Sequence, residues 1–165
     1  YMWWYIKPAG ASEPSSYQWS FLSAAKTRAA YVSYRGDVDL SDLIEAVSNT
    51  DYRTFNATLR AASMTTAVRH SPIIFAGAVV STSSKTFLKP TNPSDLDSGW
   101  YENFDGGDTD SDLWQTADCC EWSGNGNTGD IDATISATTS DKHAFAAILN
   151  PVPRAQRRRT PPSIM

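Results

Sequence analysis

The stretch FDGGDTDSDLW holds the densest run of reactive side chains in the sequence: Asp105, Asp108, Asp110 and Asp112, two or three residues apart. Carboxylates at such intervals can surround a calcium ion, which gathers several oxygen ligands at once. The run is not an EF-hand, because the Gly and the terminal Glu of that loop are missing from their positions. Asp and Gly also favour tight turns, so a solvated hairpin loop reads the same way. Calcium is the one cofactor the sequence suggests.

Histidine supplies little more. His70 precedes Ser71 and Pro72, where a turn role is sufficient, and His143 stands next to Lys142 at the start of an apolar stretch. A serine hydrolase needs a nucleophile, a base and an orienting acid brought together, and no G-x-S-x-G signal is present. A glycosidase needs two carboxylates across a cleft, which the many Asp and Glu would permit. The expectation is a protein that is not an enzyme. Cys119 and Cys120 are the only cysteines, and they are adjacent. Neighbouring cysteines rarely bridge each other, so a disulfide scaffold is excluded and one thiol on each side of a strand is expected.

Six Trp, seven Tyr and six Phe offer a different chemistry. Trp100, Tyr101, Trp114 and Trp122 could stack on the faces of sugar rings, a candidate glycan-binding platform, although core packing would claim at least half of such residues. Trp3 and Trp4 are consecutive, so on a strand they face opposite sides. One of them would meet a loop or a partner chain, which makes Trp3, Trp4 and Tyr5 a candidate subunit interface. The proline-punctuated ending PVPRAQRRRTPPSIM adds Arg157, Arg158 and Arg159 as an arm suited to docking on a neighbouring subunit.

The net charge of -4 argues against a general nucleic-acid binder, which needs a surplus of Lys and Arg on one face. No apolar run approaches the length of a membrane span, and the first residues lack the pattern of a signal peptide.

The elements that must position these residues read as strands. Short segments alternate apolar and polar positions and then break at Gly, Pro, Asn, Asp or Ser. The expected strands are Tyr1 to Lys7, a segment through Tyr17, Trp19 and Phe21, Ala29 to Arg35, Tyr52 to Leu59 and Ser63 to Arg69. Further along they are Ile73 to Ser81, Lys85 to Leu88, Gly99 to Phe104, Leu113 to Glu121, Asp130 to Ala137 and His143 to Leu149. Laying Ala30 and Tyr31 over Ala144 and Phe145 also lays Tyr17, Trp19 and Phe21 over Ile131, Ala133 and Ile135, which reads as two equivalent final hairpins. The expected fold class is therefore all-β, an antiparallel β-sandwich. Residues 1–36 would be the last three strands of an incomplete module, 37–50 a linker lying against the sheet, 51–152 a complete sandwich and 153–165 a Pro/Arg-rich tail.

WWYIKPAGASEPSSYQWSF followed by RAAYVSYRGDVDLSD resembles a segment of the jelly-roll or lectin-like modules repeated in phage tail and virion structural proteins and in some bacterial extracellular proteins. The matching positions are Tyr5, Lys7, Glu13, Pro14, Tyr17, Trp19, Tyr34 and Gly36. SGWYENFDGGDTDSDLW and GDIDATISATTSDKHAFAAILNP resemble the turn and closing strands of the next copy. The resemblance narrows the expected antiparallel sandwich to a jelly-roll-like one and implies a non-enzymatic structural component of a virion, such as a tail, fibre or capsid-decoration protein. It would bind neighbouring subunits, as a homo-oligomer, in a particle or an extracellular setting. A carbohydrate-binding or adhesive module, and a filament subunit completed by strand addition, are the alternatives. The vicinal cysteines and the Arg-rich end are not features of the pattern.

Overall fold

The computed structural model describes residues 5–9, 12–18, 20, 38–52, 54–97, 99–110, 112–139 and 141–152. Ten strands lie within them: β1 (Ile44–Tyr52), β2 (Asn56–Ala61), β3 (Thr65–Thr66), β4 (Ser71–Val80), β5 (Phe87–Leu88), β6 (Tyr101–Asp108), β7 (Leu113–Trp122), β8 (Gly126–Asn127), β9 (Ile131–Thr139) and β10 (Lys142–Leu149). No helix occurs among the described residues, and every pairing is antiparallel.

A five-stranded sheet runs β1-β10-β4-β7-β6, a three-stranded sheet β2-β9-β5, and β3 pairs with β8. The pairing is nested along the chain: first strand with tenth, second with ninth, third with eighth, fourth with seventh. Two further pairings, β10 with β4 and β9 with β5, fold that nested ribbon back on itself.

The period-2 alternation read in the sequence explains the core. On the five-stranded sheet, Ile73, Phe75 and Val79 of β4, Trp114, Cys120 and Trp122 of β7, and Ala144, Ala146 and Ile148 of β10 form apolar rows. Leu59 and Ala61 of β2, Phe87 of β5, and Ile131, Ala133 and Ile135 of β9 supply the other sheet's rows, and all of these join one cluster. At about 25 cal/mol per Å² of apolar surface removed from water, such rows are what hold the two sheets together. Gly77 of β4 faces Leu59 so closely that an added Cβ would lie 1.9 Å from the leucine Cδ2. A glycine in mid-strand is thus the condition for β2 to pack on β4. At the end of the same core, Lys142 is fully buried, and its Nζ donates to the Asn56 backbone oxygen at 3.1 Å and to the Asn56 side-chain oxygen. Burial pushes its ammonium below the ordinary lysine range.

The structure differs from the sequence reading in several places. The strand expected at Tyr52 to Leu59 is divided, Tyr52 closing β1 and β2 starting at Asn56, and the short β8 was not expected. Residues 44–50, expected as linker, belong to β1, whose ladder with β10 runs from Ile44↔Leu149 to Tyr52↔Lys142. The inward row of β1 contains Ala46 and Ser48, so its alternation is too polar to register as a strand, while Leu40, Leu43 and Ile44 imitate a helical turn. Just before it, Val38 bridges Pro151, and the Asp39 amide donates to the Asn150 carbonyl at 2.8 Å. The strand expected at Ser63 to Arg69 shrinks to β3. There the Thr66 hydroxyl donates to the Val68 carbonyl at 3.1 Å and accepts from its amide at 2.9 Å, a local turn that competes with ladder bonding. β6 runs on to Asp108, taking in the start of the acidic stretch.

Of the three strands expected within residues 1–36, most positions lie outside the described residues; Tyr5, Ile6, Lys7, Pro8 and Ala9 and residues 12–18 are not strand. In that region Lys7 and Glu13 form an ion pair at 2.6 Å, and the Tyr17 hydroxyl donates to the same carboxylate.

Candidate functional site

β6 and β7 carry the acidic stretch, and their alternation divides it. Asp105, opposite Thr116, turns inward, and its Oδ2 accepts the Phe87 amide at 3.1 Å. Asp108 ends β6 and accepts the Asp110 amide at 2.8 Å; Asp112 takes a left-handed backbone at φ 56°, and its carbonyl accepts the Ser81 amide at 2.8 Å. Asp108, Asp110 and Asp112 therefore build the hairpin turn, while Asp105 belongs to the sheet interior. The four carboxylates are not gathered into one ligand set.

Behind Asp105 lies a group the sequence reading missed. Asp118 of β7 shares a face with Trp114, Thr116, Cys120 and Trp122, opposite Phe75 on one side and Glu102 on the other. It is fully buried; its Oδ2 accepts the Thr116 hydroxyl at 3.0 Å, and its Oδ1 and the Asp105 Oδ1 are buried with no hydrogen-bond partner. Burial pushes the Asp118 carboxyl up to about 6; Thr116 and Lys89 pull it down, while Glu102 and Asp105 add to the rise. A charged residue on an apolar strand row was the available signal.

A second group assembles at the start of β4. His70 takes a left-handed backbone at φ 60° immediately before Ser71, and its Nδ1 lies 2.7 Å from the Asp97 Oδ2. The Asp97 amide donates to the Glu121 carbonyl at 2.9 Å, and Leu96 bridges Trp122, so the backbone fixes Asp97 beside Glu121. One ligand atom from each of His70, Asp97 and Glu121 lies within 4.8 Å of the other two, the one such triplet among the described residues. These residues are far apart in sequence, and no spacing pattern joins them. His143 sits elsewhere, on β10 between Asp51 of β1 and Ala78 of β4.

The aromatic candidates separate as well. Trp100, Trp114 and Trp122 are buried, Trp100 edge-on to Phe75 with ring centroids 6.4 Å apart and Trp114 donating its indole N–H to the Ser81 carbonyl at 3.1 Å. Only Tyr101 of the four is exposed, so the rings form no shared platform. The cysteines alternate: Cys120 is in the core, where burial raises its thiol, and the partly exposed Cys119 accepts from the Asn103 amide at 3.2 Å. Trp3, Trp4, Arg157, Arg158 and Arg159 lie outside the described residues, and Tyr5 is exposed.

β1 is one edge of the five-stranded sheet, and apolar side chains gather about it. Val47 is 59% exposed, and Leu40, Ile44 and Phe55 are also exposed. Among the described residues no strand pairs with the outer side of β1, and an apolar edge strand of that kind is a template for pairing with another chain. No model of a protein family, no curated protein and no solved structure matches this chain.

Proposed function

We propose that this chain is a non-enzymatic structural subunit of a virion, a tail, fibre or capsid-decoration component, that binds its neighbours through a jelly-roll β-sandwich. The observation that carries the reading is the nested pairing of strands around one core. A ribbon whose first strand meets its last, and which then wraps so that β10 also meets β4 and β9 also meets β5, supports a jelly-roll reading, the architecture of many capsid and lectin domains. Fold alone does not dictate function, and the step to a virion rests on the resemblance of the N-terminal and closing segments to phage modules.

The neighbour is a second copy or another particle subunit, met along the β1 edge. Leu40, Ile44, Val47 and Phe55 supply the apolar contact there, and the sequence alone offers Trp3, Trp4, Tyr5 and Arg157 to Arg159 as further contact residues. Sedimentation of the purified chain over a concentration series tests the assembly step. Reversible association that Val47→Lys abolishes is expected; a monomer at all concentrations that also fails to bind purified particles would overturn the reading.

A further inference from the structure

We propose that His70, Asp97 and Glu121 form a binding site for a single first-row divalent transition cation, of which Zn²⁺ is the probe. One imidazole and two carboxylates are the donors such ions take, whereas calcium and magnesium favour all-oxygen shells. Metal–ligand bonds of roughly 2.0–2.2 Å put the donor atoms of a tetrahedral ion roughly 3–4 Å apart. The triplet already lies within 4.8 Å, so side-chain rotation is enough to close it.

Charge points the same way. His70 is paired with Asp97 at 2.7 Å, and the Glu121 carboxylate beside them makes no hydrogen bond or ion pair among the described residues. Two carboxylates against at most one imidazolium leave a negative surplus that a divalent ion cancels. The three ligands come from three separate segments, and the backbone holds them. Asp97 is bound to Glu121 main chain to main chain at 2.9 Å, and Ser71, the residue after His70, pairs with Trp122, the residue after Glu121. Little chain entropy remains to be lost on binding. His70 and Asp97 side chains are about a third exposed, at 30% and 34%, so an ion has an open route and water can complete its shell.

The site is independent of the proposed assembly edge, and its failure would leave that reading intact. The test is calorimetric titration of the full chain with ZnCl2, with Co²⁺ absorption as a spectroscopic readout of ligand type. One ion per chain is expected, with His70→Ala abolishing binding and Glu121→Gln, which leaves the His70–Asp97 pair in place, weakening it by about tenfold or more. His143→Ala and Cys119→Ser are expected to bind as the parent chain does. No saturable uptake, or uptake lost with His143 or Cys119 and kept without His70, would overturn the proposal. Far-UV circular dichroism of each variant separates loss of a ligand from loss of fold.

Discussion

Asp118 sets the pH behaviour of the core. Its carboxyl is raised to about 6 in the folded chain against 3.8 when unfolded, so between those values the native state holds the extra proton. Stability from this group is therefore fully present below about pH 4, falls as pH rises toward 6 and is flat above it, a loss on the order of 3 kcal/mol. Asp118→Asn keeps the shape and removes the charge. The variant's melting temperature, measured from pH 4 to 8 beside the parent, is expected to gain on it steadily up to pH 6 and stay above it thereafter. A difference that does not change with pH would refute the assignment. Asp118 was legible in principle, since alternation in LWQTADCCEW already puts it on the row of Trp114 and Trp122. The His70, Asp97 and Glu121 triplet was not, because those segments, distant in sequence, are joined only through tertiary pairing, the β4–β7 ladder and the backbone contacts of residues 95–97 with the end of β7.

At the scale of elements, packing between β2 and β4 turns on one missing side chain. Gly77→Ala would drive a methyl into Leu59 and is expected to cost about 1–3 kcal/mol in urea unfolding, with Leu59→Ala in the same chain recovering part of the loss. If the alanine variant is as stable as the parent, the two sheets are not packed this tightly. The strands most legible in the sequence were those with a clean apolar row. β4, β7, β9 and β10 fall within two residues of their expected bounds, because both the alternation and the flanking Ser, Gly and Asn were visible. β1 was hidden by its polar inward row, and β3 and β8 are two-residue pairings whose partners are distant in sequence. β1 is also where association is expected to fail first: Val47→Lys adds a charge to an exposed edge and should abolish self-association with no more than about 0.5 kcal/mol change in stability.

For the whole molecule, the nested pairing joins β1 to β10 in the five-stranded sheet and β2 to β9 in the three-stranded one, so the two ends of the described strand series meet. An all-β antiparallel chain was readable from strand periodicity alone; the order of the strands was not, since a period of two fixes faces and not neighbours. The same reasoning applies to the aromatic residues. Periodicity groups Trp114 and Trp122 on one face without saying that the face is the core. An isolated unit with an apolar edge is expected to function among neighbours, and the central claim is that those neighbours are the subunits of a particle. The direct measurement is quantitative peptide mapping of density-gradient fractions from the cultures that produce this chain. The account predicts that its peptides sediment with the major virion proteins at a fixed ratio. Peptides confined to the soluble fractions, with none in the particle band, would contradict it.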